Sequence, residues 1–356
     1  MKTFRTTTRN LKHFPCVSSR PWWLKFCVAL PLATALASTA ACAKGSSPGA
    51  TASAASTSGS PATPVAPPEP APTAPDNSPL PHIDAKRAFE YTREVAAFGP
   101  RYMGNENHKK LERYILDHLK GDEVEDDAFT ADTVEGKFPV RNIIAKFPGT
   151  EDGIIAILGH YDTNYPLRNI GYVGANDGGS STAILLEFAN QLRSASAGKK
   201  RDGYSVWLVW TDGEEAVRSW SDTDSLYGTR HLAEKWEKDG TLKKIKALMV
   251  MDMIAPIDLA ILRDTNSTPW LLDLIYAAAE RGGYQSHFYV LQTPMEDDHL
   301  PFVKRGVPSA DVIDMPYGYN DVFHHTALDT MDKLSPKSLQ IVGDTILETV
   351  HMLDQR

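Results

Sequence analysis

Two adjacent acids, Glu214 and Glu215, end the segment Thr211-Asp212-Gly213-Glu214-Glu215, directly after the run Ser205-Val206-Trp207-Leu208-Val209-Trp210. The run is rich in β-branched and aromatic side chains and reads as a buried strand. In open α/β sheets, ligands gather at the carboxyl ends of strands. Carboxylates side by side in such a place repel each other, and burial makes this worse. A metal ion resolves the conflict if one acid binds it and the other carries a mobile proton. A solvated acidic turn would account for an isolated Glu-Glu pair, but this pair is not isolated. His160, Asp177, Asp252 and His325 also fall at the ends of apolar segments or in the loops that follow them. Histidine and carboxylate without thiolate suit Zn2+, with Mn2+, Co2+ and Fe2+ as alternatives.

These residues need elements to bring them together. The sequence predicts helices near Asp84–Val95 and over Asn105–Leu119, the first capped by Asp84. Strands are expected at Asn142–Phe147 and Ile154–Leu158, with a weak edge strand between Val124 and Phe129. A helix over Ser180–Leu192 precedes the Trp207 strand. A helix near Tyr227–Trp236, a strand at Ala247–Met251 and a helix over Trp270–Arg281 follow. The remainder reads as strand His287–Leu291, short helix Asp298–Lys304, strand Ser309–Ile313 and a closing helix Ser335–Leu353. Alternating strands and helices imply an α/β fold: a single globular domain whose central, mostly parallel mixed β-sheet is flanked by helices on both faces.

The ends of the chain differ in composition. Residues 1–41 hold six Lys or Arg and no acid, and lead into the apolar run Phe26–Ala41, the layout of a secretory signal. The three cysteines are Cys16, Cys27 and Cys42. Cys42 follows Thr39-Ala40-Ala41 and resembles the lipidated cysteine of a bacterial lipoprotein. Residues 42–81 are dominated by Ala, Pro, Ser and Thr and read as a disordered tether. Residues 82–356 form the expected catalytic domain, which has no cysteine and therefore no disulfide. The net charge is −8, and loss of the basic leader would make the product more acidic still. No basic stripe exists to hold nucleic acid. The expectation is an exported, periplasmic or cell-envelope monomer, touching a membrane only through a lipid on Cys42.

Gly174-Ala175-Asn176-Asp177, Asp212-Gly213-Glu214-Glu215 and His325-Thr326 resemble the metal-site motifs of the zinc exopeptidase family that includes bacterial aminopeptidases and glutaminyl cyclases. Two longer stretches, from Trp220 to Ala233 and from Asp297 to Pro308, are similar to segments of the cyclases. The resemblance spans roughly Arg141–Leu334. It implies Asp177, Glu215 and His325 as ligands of one zinc ion and Glu214 as the proton shuttle. Asp252 and Asp297 would sit beside Glu214, sharing hydrogen bonds and a proton. Trp220 would wall an aromatic pocket for the substrate, with Phe323 and His324 nearby. Three positions depart from the cyclase pattern: His324 where a tryptophan is usual, Gly178 where serine is frequent, and Glu296 where glutamine is frequent.

The implied reaction is cyclisation of peptides that begin with glutamine, or more slowly glutamate. The α-amine attacks the γ-carbonyl, and Glu214 carries the proton from the amine to the departing ammonia. The alternative is a metallo-aminopeptidase that hydrolyses N-terminal residues, with His160 and Asp252 helping Asp177 to hold a second zinc. The Trp220–Ala233 and Asp297–Pro308 stretches favour the cyclase. A surface lipoprotein that binds peptides on an inactive fold is the third reading, and the intact Glu pair argues against it. In every case the expected partner is a peptide or protein N-terminus.

Overall fold

A computed structural model describes residues 78–196 and 198–356. The leader, Cys42 and the Ala/Pro-rich stretch up to residue 77 lie outside the described residues. Two helices come first, α1 (Ala85–Ala97) and α2 (Glu106–His118). Asp84 caps α1 by accepting the Arg87 amide, and Asn105 caps α2 by accepting that of Asn107. Strands β1 (Glu123–Thr133) and β2 (Gly136–Phe147) form an antiparallel hairpin. There follow β3 (Gly149–His160), α3 (Gly179–Ser196), β4 (Arg201–Thr211), α4 (Tyr227–Lys238), β5 (Ile245–Asp252), β6 (Ile261–Asp264) and α5 (Pro269–Gly282). The chain ends with β7 (Phe288–Thr293), α6 (Leu300–Val303), β8 (Ser309–Ile313) and α7 (Pro336–Asp354).

The main sheet has six strands in the order β1-β2-β4-β3-β5-β8. β4, β3, β5 and β8 run parallel, and the β1–β2 hairpin closes one edge antiparallel. The mixed, mostly parallel sheet expected from the sequence is therefore present. Alternation along the strands sends side chains to both faces. Val206, Leu208 and Trp210 join one buried cluster with α1, α3, α5 and α7, whereas Val209 joins another with Leu232, Trp236 and Phe302. Covering both faces is what a parallel sheet requires.

Two elements differ from expectation. The weak edge strand is the long β1, eleven residues in register with β2. The segment anticipated as a sheet strand at His287–Leu291 pairs instead with the short β6, as a separate two-stranded parallel sheet. The register of the parallel strands fixes the site. His160 pairs with Thr211, and Asp252 pairs with Ile313, so β3, β4, β5 and β8 all end at one rim.

Candidate active site and metal centre

His160 and Asp252 are the last residues of β3 and β5, and Glu214 and Glu215 follow β4 by three and four residues. Asp177 lies in the loop before α3, and His325 in the loop after β8. His325 Nε2 stands 3.3 Å from Asp177 Oδ2 and 3.1 Å from Glu215 Oε1. His160 Nε2 stands 3.1 Å from both Asp177 Oδ1 and Asp252 Oδ1. Asp177 thus faces two imidazoles, one on each carboxylate oxygen. Ligand atoms of Asp177, His324 and His325 also lie within 4.8 Å of one another, as do those of His160, Asp177 and Asp252.

These acids are almost fully buried, and their neighbours set their protonation. Burial opposes ionisation of Asp177, yet His160 and His325 hold its carboxyl well below the usual range. Burial would likewise lower His325, but Glu215 and Asp177 carry it up to about 11. Burial pushes the Glu214 carboxyl well up; His160 pulls against this, and Glu215, Asp297 and Asp298 add to it. Asp297 is raised by burial and then by Asp252 and Asp298. The constellation therefore holds positive charge against Asp177 and favours protons on Glu214 and Asp297, while burial raises Glu215 against the pull of His325. Carboxylate oxygens of Asp177 and Glu215 on either side of the His325 imidazole nitrogen form a donor set whose chemistry fits a catalytic zinc ion with an open position. His324 is a further imidazole within reach, its ring centroid 3.9 Å from that of His325.

A cleft of about 250 Å³ opens beside these residues, lined by Asp252, Met253, Trp220, Glu296, Asp297 and His324 among others. Trp220 is 38% exposed, and its indole N–H donates to Glu296 Oε2 at 2.9 Å. Phe323, expected as a substrate contact, does not reach the cleft. Its ring packs edge-on against Tyr317 at 5.3 Å, over Gly318. The backbone is left-handed at His325 (φ 52°), and the His325 ring lies tilted against that of His324. Gly178 also has a structural reason. It sits at φ +70°, and a Cβ there would lie 2.7 Å from the Asp162 carbonyl and 3.0 Å from the His160 ring.

Several supporting residues were not singled out from the sequence. Asp162 accepts the amides of Glu214 at 3.2 Å and Glu215 at 3.4 Å, one on each oxygen. Asn164 donates to Glu215 Oε2 at 2.7 Å, and the Tyr172 hydroxyl donates to Asp177. Asp329 accepts the amides of Asn176 and Asp177. Arg101, fully buried, donates to the carbonyls of Tyr161, Val173, Gly174 and Asp177 and so ties the end of β3 to the loop before α3. Behind the Glu pair, His108 Nε2 lies 2.7 Å from Asp212 Oδ1. Second partners of this kind orient metal-binding side chains. Asp162 and Asn164 follow an apolar strand, as His160 does, and that position was the available signal. Arg101, Tyr172 and Asp329 offered none.

Comparison with known proteins agrees with this geometry. Residues 142–350 match the family described as peptidase family M28. A glutaminyl-peptide cyclotransferase of Drosophila melanogaster is 31% identical over 241 residues, covering 61% of this chain and 68% of that protein. The crystal structure of an Acidobacteriales bacterium glutaminyl cyclase is 50% identical, covers 80% of this chain and 100% of the other, and superposes with a TM-score of 0.76. A Porphyromonas gingivalis glutaminyl cyclase is 25% identical, with 76% and 98% coverage and a TM-score of 0.67.

Proposed function

The chain belongs to peptidase family M28, and on that premise we propose the reaction it performs and the residues that perform it. It is a glutaminyl-peptide cyclotransferase, converting N-terminal glutaminyl peptides to pyroglutamyl peptides with release of ammonia. The observation that carries this is the 50% identity to a bacterial glutaminyl cyclase along that chain's whole length.

In the proposed assignment, Asp177, Glu215 and His325 hold one zinc ion, which when bound supplies Lewis acidity at the substrate's side-chain carbonyl oxygen. This chain's residues do the rest. Asp162 fixes the backbone of both glutamates, so that Glu215 meets His325 and Glu214 lines the cleft beside it. Trp220 and His324 flank the space for the substrate's first residue. The α-amino nitrogen attacks the side-chain Cδ, and the bond from Cδ to the amide nitrogen breaks. Glu214 takes the proton that the amine releases and returns it to the departing nitrogen, so ammonia leaves and no water is consumed. A carboxyl held well above its usual range suits a group that must both take and give a proton. Attack is intramolecular, so holding the peptide in the reactive pose supplies much of the acceleration; effective molarities can reach about 10⁵ M.

The second reading, aminopeptidase hydrolysis, draws on one observation: His160, Asp177 and Asp252 present ligand atoms within 4.8 Å of one another. Incubating the protein with Gln-Xaa and Leu-Xaa dipeptides separates the two. Mass spectrometry should show Gln-Xaa losing one ammonia and Leu-Xaa intact. Free leucine together with uncyclised Gln-Xaa would overturn the assignment. The basic-then-apolar composition of residues 1–41, followed by Cys42, supports an exported and lipid-anchored enzyme. Fatty-acid labelling that disappears in Cys42→Ser tests the anchor.

A further inference from the structure

We propose that the groove on the far side of Trp220 and Glu296 seats the residues that follow the first one in a peptide substrate, and that Glu296 selects a basic side chain at the second position. The inference rests on the cyclase reading above and extends it from the reacting residue to the rest of the peptide.

Two cavities meet at one wall. The metal cleft and a neighbouring groove of about 220 Å³ have only Trp220 and Glu296 in common. The groove has an apolar floor of Leu226, Leu300 and Pro301 and a polar rim that includes Arg230 and Lys304. The reacting residue is held by its side chain at Asp177, Glu215 and His325, so its carbonyl carries the chain outward. The groove lies directly across the Trp220–Glu296 wall from the metal cleft, on the side to which that chain would pass.

The charges along this path are mostly matched within the protein. Lys304 faces Asp222 at 3.8 Å, Arg305 faces Glu237 at 3.1 Å, and Glu234 holds Lys238 at 2.5 Å. Arg230 spends its guanidinium on the carbonyls of Ser225 and Thr223 and lies over the Tyr227 ring. Glu296 differs. It accepts a neutral N–H from Trp220, and among the described residues no cation pairs with it. An exposed carboxylate matched only by an indole still attracts a cation that comes within reach, and repels an anion. The side chain at the second position of the peptide is the group that passes it.

The test compares kcat/KM for Gln-Lys-Ala, Gln-Ala-Ala and Gln-Asp-Ala amides in the wild type and in Glu296→Gln. The substitution keeps an oxygen that can accept the Trp220 N–H and removes only the charge. Ratios are read within each enzyme, which cancels any change common to all peptides. The wild type should prefer lysine over aspartate by about ten-fold at low ionic strength, shrinking in about 1 M NaCl, where the screening length is roughly 3 Å. In Glu296→Gln the ratio should fall to about two-fold or less. A wild-type ratio near one, or a ratio that survives Glu296→Gln, overturns this inference and leaves the cyclase assignment standing. Failure of the wild type to cyclise all three peptides overturns both.

Discussion

Glu214 and Glu215 are chemically identical neighbours, and their surroundings assign them different tasks. Glu215 is engaged on both oxygens, by His325 and by Asn164. Glu214 has its backbone anchored by Asp162 and its carboxyl in the cleft among Glu215, Asp297 and Asp298. Replacing Glu214 with Gln should therefore keep the metal and lower kcat by about 10²- to 10⁴-fold, the usual contribution of a positioned acid–base group. Elemental analysis beside a rate assay checks this, and substantial residual turnover would mean that another group moves the proton. Asp177→Ala and His325→Ala should lose the metal itself, because each removes one of three donors. Of the proposed ligands, Glu215 could be read from the sequence because it follows an apolar strand closely and a buried acid there needs a reason, whereas Asp177 and His325 lie deeper in their loops and are picked out by the resemblance of their motifs. Tyr172 and Asp329 could not be read, since a hydrogen bond to a site residue leaves no periodicity and no charge conflict. Phe323 shows the same limit. Adjacency to His324 and His325 says nothing about the packing of its ring against Tyr317.

Elements position these side chains through contacts that are themselves electrostatic. His108 on α2 is buried against Asp212, the first acid of the turn after β4, at 2.7 Å, with Glu112 3.2 Å from its other nitrogen. Burial alone would lower its pKa, but Asp212 and Glu112 raise it to about 10. The sign of the consequence follows. Histidine in an unfolded chain titrates near 6.5, so the folded state holds the extra proton and gains stability fully below about pH 6.5. That gain is lost as pH rises from about 6.5 through about 10. Urea unfolding across this range should show stability falling, with a shallower fall in His108→Gln. A parallel pH dependence in the two proteins would remove His108 from the account. His108→Ala strands Asp212 in the interior and should cost about 3–5 kcal/mol. At this scale the long apolar strands and capped helices could be read from sequence, and the exceptions are informative. β1 carries Glu123, Glu125 and Asp126, the charges expected of a sheet edge, together with the buried Asp127, and these mask its β character. β6 is four residues long, too short to show any period, and it captures β7 away from the main sheet.

At the scale of the whole molecule, the site is a closure. Asp177, Glu215 and His325 come from three loops separated by up to 148 residues, all delivered to one rim because β3, β4, β5 and β8 are parallel. Alternating helices and strands made that architecture readable. Which loops meet at the rim depends on strand order, and the placement of β4 between β2 and β3 is a long-range pairing that no local pattern encodes. The closure has a thermodynamic consequence. Buried carboxylates at that rim repel one another, and a divalent cation bound only by the folded chain stabilises it by about 4 kcal/mol when free metal exceeds its dissociation constant 1,000-fold. For a domain of this size that corresponds to a melting-temperature difference on the order of 10 °C. Calorimetry of the metal-loaded and chelator-treated protein should show this drop, reversed by added zinc. Asp177→Ala should melt at a temperature that chelation does not change. A wild-type protein that keeps both its melting temperature and its activity after complete removal of metal would mean that these three loops are joined by their own hydrogen bonds, and that the chemistry at the rim proceeds without a cation.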